Sequence, residues 1–285
     1  MLANNRVRIV GAAIAVLIAA SPFQARDATE LIECDYDELT VHLAIEPGGE
    51  TTHPEAPENL AFNWEIGDEN SAQTAFGQAA HRIELEVLDN RIIVNSIEPR
   101  DCYAEWKNNR LHVWVNGQGV WGVKTRISKA LNLNENQVLV TNPDVGGGFG
   151  MKAMMYPETY LCAKAAMLLS RPVHWMSERT EAMLSDNAGR DLVSNAELAF
   201  DKNYKIMAYR VNTVCNLGAY NSQFAQPIQS ELFSKVLMGN YDVQTSCLNV
   251  KGVYTNTTQV DAYRVLAARK LFMCSSAQSI ERRAI

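Results

Sequence analysis

Asn142-Pro-Asp-Val-Gly-Gly-Gly-Phe-Gly-Met-Lys152 places four glycines within five positions, Gly146, Gly147, Gly148 and Gly150. Glycine costs backbone entropy, so such a cluster is tolerated where the chain needs positive φ or where something must approach the backbone closely. Successive bare N–H groups in a loop of this kind form a concavity suited to anions. A Walker A loop needs glycine directly before its lysine and Ser or Thr after it, but Lys152 lies between Met151 and Ala153. A dinucleotide fingerprint counted from Gly146 needs glycine where Met151 stands. The local pattern leaves two readings: a tight turn between a strand Gln137–Thr141 and a helix starting near Pro157, or a loop that cradles a ligand.

Around the loop, Leu111–Val115 has strand character and Val120–Leu131 helical character, with Gly117-Gln118-Gly119 between them. A glutamine between two glycines offers a carboxamide that can donate and accept. After the loop, helical spacing of Tyr160, Lys164, Met167 and Leu168 precedes a strand Arg171–Met176. Then Leu192–Phe200, the turn Asp201–Tyr204 and Lys205–Asn216 form a hairpin pattern. Glu231–Met238 is expected as helix and Leu248–Tyr254 as strand. His81–Leu88 and Arg91–Ile97 are expected as strands joined at Asp89-Asn90. Trp64, Trp106, Trp114 and Trp121 are expected in the core, and Glu178-Arg179 as a solvated pair of little energetic weight.

The N-terminus imitates a secretory signal, with Arg6 and Arg8 before the apolar run Ile9–Ala20. Against that stands Ser21-Pro22-Phe23-Gln24, a capping box with Ser21 as N-cap, Pro22 at N1 and Gln24 as the N3 partner. A helix then starts where a signal would be cut, and the β-branched stretch Val7–Ala19 and Asp35–Val41 are expected as flanking strands. The run is also too short to span a membrane. Pro47, Gly48, Gly49, Pro54 and Pro57 mark 46–58 as a connecting segment.

The chain has 285 residues and a net charge of −6, with its cations scattered, which makes a nucleic-acid face unexpected. Its six widely spaced cysteines form no C-x-x-C pair and suggest reduced thiols in the cytoplasm. The five histidines show no zinc spacing, so no metal held by protein ligands is expected.

Gly-Gly-Gly-Phe-Gly-Met-Lys closely resembles the glycine loop of the molybdopterin-binding large subunits of the xanthine dehydrogenase, aldehyde oxidase and carbon monoxide dehydrogenase family. Asn59–Asp68, Asn95–Arg100, Gly117–Gly119, Arg171–Arg179, Gly189–Asp191, Asn216–Tyr220 and Tyr254–Arg264 resemble it too, in the family's order. The resemblance implies an α+β fold: residues 1–45 as the C-terminal part of a small α/β hammerhead-type domain, 46–58 as linker, and 59–264 as an incomplete first molybdopterin-binding domain.

It also implies a cofactor, molybdenum-molybdopterin in its cytosine dinucleotide form, whose metal is held by the pterin's sulfurs. Gln118 matches the glutamine that hydrogen-bonds the molybdenum's oxygen ligands, and Phe149 and Gly150 match the pair whose backbone lies against one of them. Gly147, Gly148 and Arg264 complete the implied cofactor-binding set. The implied activity is oxidation or hydroxylation of a small substrate with water as oxygen source. An iron-sulfur small subunit and an FAD-binding medium subunit would be partners, together with the second half of the large subunit.

The family's general base is a glutamate near the large subunit's C-terminus, and no residue here matches it, so no catalytic residue is assigned. Glu98, in Ile97-Glu-Pro-Arg100, matches a family motif as a structural contact. Ala153 stands where purine-oxidising relatives carry glutamate, which argues against purines. Phe62–Asp68 and Asn256–Arg264 look most like proteins labelled carbon monoxide dehydrogenase large subunit, of the kind lacking a cysteine in the substrate loop. Carbon monoxide, aldehyde and aromatic substrates stay open.

After Asp261-Ala-Tyr-Arg264 the family continues Gly-Ala-Gly-Arg-Pro-Glu-Ala, whereas this chain continues Val265-Leu-Ala-Ala-Arg-Lys-Leu271. Codons GGT-GCT-GGC-CGC-CCG-GAA-GCT read one base late give that second sequence, which predicts an out-of-frame tail over 265–285. A truncated, inactive remnant is therefore the alternative to an enzyme subunit. A secreted binding protein would require cleavage after Ala25.

Overall fold

The computed structural model describes residues 2–264, so the expected out-of-frame tail lies outside the described residues. In chain order the elements are α1 (Pro22–Thr29), β1 (Leu60–Gly67), α2 (Glu69–Gln78), β2 (His81–Asp89), β3 (Asp101–Lys107), β4 (Arg110–Val115), α3 (Trp121–Leu131), β5 (Val138–Thr141), α4 (Pro157–Leu169), β6 (Val173–Met176), α5 (Arg179–Ser185), β7 (Ala188–Gly189), β8 (Leu192–Phe200), β9 (Ile206–Gly218), α6 (Ala225–Gln229), α7 (Glu231–Ser234), β10 (Thr245–Tyr254) and β11 (Val260–Asp261). They divide into two compact units. The first holds the chain up to Thr40 together with Asn95–Asp186, and the second holds Val41–Val94 and the chain from Asn187.

In the first unit a four-stranded sheet runs β5-β4-β3-β6, with β4 and β5 parallel and the other pairs antiparallel. Period-2 alternation turns Cys102 and Ala104 of β3 and Leu111, Val113 and Val115 of β4 into the core. The small residues Cys162, Ala163 and Ala166 of α4 are buried in the same core, and their size lets helix and strand approach closely. Leu111 is fully buried, and its truncation to alanine would cost roughly 2–5 kcal/mol. Pro157 sits at the first position of α4, where its missing N–H is no loss.

The second unit has a five-stranded sheet ordered β1-β10-β9-β8-β2. The hairpin β8–β9 forms as its alternation predicts, and Asp201 Oδ1 accepts the N–H groups of Asn203 and Lys205 at 2.8 and 2.9 Å to shape the turn. Strand β10 lies parallel to β9, which local pattern does not foretell. Phe200, Val211, Leu217, Phe233, Leu248 and Val250 are core residues here. Residues 46–58 form a loop closed on itself: buried Asn59 donates to Gly48 O and Glu50 O and accepts from Thr52 N. Helix α2 starts on Asp68, whose carboxylate accepts the Ser71 N–H at 2.9 Å.

Several expectations need correction. Residues 7–19 and 35–41 form no strand; β-branched propensity has no effect without a partner edge, and Val10, Ile18, Leu39 and Val41 are exposed. Their α1 does form, with Ser21 Oγ accepting the Gln24 N–H. Residues 91–97 make only the isolated bridge Ile92–Gly189, because β2 pairs with β8 instead. Trp64, Trp106 and Trp114 are partly buried, but Trp121 is 76% exposed at the start of α3, with Lys124 above its ring. Regular helix within 231–238 is confined to α7, and the preceding α6 was not expected. Among the described residues no helix is long and apolar enough to cross a membrane.

Candidate cofactor-binding site

The first unit brings Gln118 and the glycine loop together. Strand β4 ends at Val115 and β5 at Thr141, and because the two are parallel neighbours their C-terminal ends lie side by side. Each end carries an asparagine that ties the loops down. Asn142 Oδ1 accepts from Gly117 N at 3.1 Å and its Nδ2 donates to Gly117 O at 2.8 Å. Asn116 Nδ2 donates to Pro99 O and its Oδ1 accepts from Asp101 N. These amides were missed in the sequence, although an asparagine beside a glycine turn is a signal for such a clamp.

Gln118 N donates to Lys152 O at 3.2 Å, and Gln118 Oε1 accepts from Gly150 N at 2.8 Å. The carboxamide therefore reaches from one loop to the other and keeps its Nε2 donor unpaired among the described residues. Gly148 is what makes room: a Cβ there would stand 2.6 Å from Gln118 Oε1. Gly147 and Gly150 both have φ of +99°, and a Cβ on Gly147 would meet the Phe149 ring at 2.9 Å. Phe149 itself adopts φ of 51° and is exposed. The backbone N–H groups of Gly147, Gly148 and Phe149 are unpaired among the described residues.

The other end of the loop is held by charge. Glu98 Oε2 accepts from Gly146 N and from Lys152 Nζ, both at 2.8 Å. The Lys152 side chain is only 1% exposed, so its ammonium depends on that carboxylate. Partial burial works against ionisation of Glu98, but the hydrogen bonds from Lys152 and Gly146 outweigh it and hold the carboxyl below its ordinary value. Glu98 is thus a contact of the loop, and its ionised carboxylate has two donors upon it.

A second charged group in this unit centres on Arg100. Buried Arg100 donates Nε to Asp186 Oδ1 at 2.5 Å, Nη1 to Glu158 Oε2 at 2.9 Å and Nη2 to Ser185 Oγ at 3.1 Å, and its guanidinium lies 3.8 Å from the centre of the Tyr156 ring. Desolvation opposes its charge, but Glu158, Tyr156 and Asp186 favour it more and raise its pKa above the usual arginine value. Burial pushes the Asp186 carboxyl up while Arg100 opposes that shift. A cavity of about 30 Å³ is lined by Arg100, Asn116, Gly117, Lys152 and Tyr156 among others.

Arg179 corrects another expectation. It does not pair with Glu178; it donates to Asn95 Oδ1 at 2.6 Å, Ser96 O at 2.7 Å and Ile97 O at 2.6 Å, whereas Glu178 accepts from Arg26. Arg264 belongs to the second unit, where it is exposed. In that unit Asn216 Nδ2 donates to Asp191 Oδ2 at 2.9 Å, and Asn216 Oδ1 accepts from Gly218 N and Thr255 Oγ1.

The donor set of the glycine loop fits a group that presents oxygen atoms and brings its own metal ligands. It offers backbone and carboxamide N–H donors, with glycines where side chains would obstruct approach, and no thiolate or imidazole.

Comparison with known proteins agrees. The chain is 31% identical over 277 residues to the carbon monoxide dehydrogenase large chain of Hydrogenophaga pseudoflava, covering 90% of this chain and 34% of that one. It is 32% identical over 274 residues to the 6-hydroxypseudooxynicotine dehydrogenase complex subunit gamma of Paenarthrobacter nicotinovorans, covering 93% and 33%. The crystal structure of quinoline 2-oxidoreductase from Pseudomonas putida 86 superposes with a TM-score of 0.88 at 26% identity, over 98% of this chain and 37% of that one. The chain thus spans about a third of the length of these two curated relatives. The profile of the molybdopterin cofactor-binding domain matches residues 52–277, and the chain belongs to that family.

Proposed function

We propose that this chain is the molybdopterin-binding part of the large subunit of a molybdenum hydroxylase, an oxidoreductase acting on a small substrate. The bond from Gly150 N to Gln118 Oε1 carries the reading. It fixes the carboxamide so that Nε2 is the group left to donate, and it does so beside three further unpaired N–H groups. Gln118 would donate to an oxygen ligand of the metal, and Gly147, Gly148, Phe149 and Gly150 would supply the backbone surface against which the cofactor rests. The family resemblance adds Arg264 to the cofactor-binding set.

When bound, molybdenum-molybdopterin, in the cytosine dinucleotide form, supplies oxidative hydroxylation with water as oxygen source. The protein's part is orientation, exclusion of water and hydrogen bonding to the metal's oxygen atoms. Electrons would leave through iron-sulfur and FAD-binding partner subunits in the cytoplasm. The relatives are named for carbon monoxide, nicotine-derived, quinoline and aldehyde substrates, so the substrate is carbon monoxide, an aromatic N-heterocycle or an aldehyde, and Ala153 disfavours purines. Residues 1–45 are assigned to a hammerhead-type domain, and 265–285 to a shifted reading frame, although the family match extends to residue 277. Sequencing the gene past the Arg264 codon tests the frame: family-like protein in the other frame supports it, and its absence refutes it.

The cofactor assignment is tested by purifying the full chain from cells that synthesise molybdopterin and measuring molybdenum and pterin content. Molybdenum and pterin retained by the wild type, and lost in Gln118→Ala, are the expected result. Absence of both from the wild type would leave the remnant reading.

A further inference from the structure

We propose that Glu98 and Lys152 are a positioning pair for the glycine loop, holding both its ends through one carboxylate so that the N–H groups between them keep a fixed arrangement toward the cofactor. The inference rests on the cofactor-binding reading above, and its geometry stands in the first unit alone.

Gly146 and Lys152 bracket the loop, and both donate to the same atom, Glu98 Oε2, at 2.8 Å. The backbone is tied as well, with Glu98 N donating to Gly146 O at 3.3 Å. Gly146 has no alternative at this approach, because a Cβ there would stand 2.6 Å from Glu98 Cβ. Lys152 carries the restraint onward: its carbonyl accepts from Gln118 N. Glu98 is itself anchored. Ser96 Oγ donates to Glu98 O at 2.7 Å, and the Arg179 guanidinium holds the carbonyls of Ser96 and Ile97. A continuous polar path therefore runs from α5 through 95–98 to both ends of the loop and to Gln118.

Stability alone does not account for the pair. A lysine that is 1% exposed is costly to bury, and replacing a buried ion pair by apolar groups is often neutral or stabilising. What an apolar pair could not do is satisfy Gly146 N and fix Lys152 against one point. The restraint is local, so its loss should free the loop before it unfolds the unit.

The test uses the full chain with Lys152→Met, Glu98→Ala and Glu98→Gln. Two readouts are compared: amide hydrogen exchange by peptide, and molybdenum content after expression in molybdopterin-synthesising cells. Exchange over residues 142–154 is expected to rise by about tenfold in Lys152→Met, as for one lost charge-assisted hydrogen bond, with the rest of the first unit unchanged; Glu98→Ala should raise it further, because it also strands the buried Lys152 ammonium. Glu98→Gln keeps an acceptor oxygen and should restore part of the protection. Molybdenum content should fall in the same order. In Lys152→Met, unchanged exchange over 142–154, or a rise spread across the whole unit, would overturn the pair's positioning role. A local rise with no molybdenum in the wild type would retain the clamp and refute the cofactor reading.

Discussion

The carboxamide oxygen of Gln118 lies 2.8 Å from the backbone nitrogen of Gly150, and Gly148 beneath it leaves no room for a methyl group. Gly148→Ala should therefore act on Gln118 and not on the fold. Gly148 does not have positive φ, and the atoms a Cβ would meet are the mobile end of one side chain. The expected outcome is a change in stability within about 1 kcal/mol, measured by urea denaturation, with loss of molybdenum content comparable to that of Gln118→Ala. A large loss of stability would show that the glycine serves packing.

The loop's importance was legible because four glycines have few other uses, and Gln118 stood out between two more. What the sequence did not disclose were the partners. Glu98 reaches Lys152 across 54 positions and Arg100 reaches Asp186 across 86, and no local period encodes such pairings. The hairpin β8–β9 was legible because alternation and turn residues are local; the parallel neighbour β10 was not. Strand β3 was missed because its buried face carries only the small residues Cys102 and Ala104, too weak a signal beside its charges. Residues 7–19 failed in the opposite sense, with strong propensity and no edge to join.

Arg100→Leu should destabilise the first unit by roughly 3–5 kcal/mol, because Asp186 and Glu158 would lose the cation that compensates their burial. Chemical denaturation checks this. The triple change Arg100→Leu, Asp186→Leu, Glu158→Leu should recover much of the loss, since it removes the stranded charges. If Arg100→Leu alone is neutral, the group is more hydrated than its burial indicates.

Asn216→Ala removes four hydrogen bonds at once, to Asp191, Thr257, Gly218 and Thr255. The Gly218 N–H would lose its partner and Asp191 Oδ2 would keep only Arg91, so a loss on the order of 2–3 kcal/mol is expected. Thermal denaturation should show the effect in the second unit, and hydrogen exchange in β9 and β10 should rise while β3 and β4 stay protected.

The acid limb of the loop's stability follows from Glu98. Its folded pKa lies below the ordinary glutamate value because Lys152 and Gly146 donate to the ionised form against the cost of burial. Between the depressed and the ordinary value, near 4.3, the unfolded chain binds more protons than the folded one, so stability rises with pH through that window. The contribution is fully present above the ordinary value and is lost as pH falls through the folded pKa. With the Glu98 side chain 37% exposed, solvent screening keeps the contribution below about 1 kcal/mol. Denaturation at a series of pH values should therefore show wild type more stable than Glu98→Gln at neutral pH, with the difference closing as pH falls below the ordinary glutamate value. A difference that persisted unchanged into strong acid would mean that the carboxylate's charge is not what holds Lys152 and Gly146.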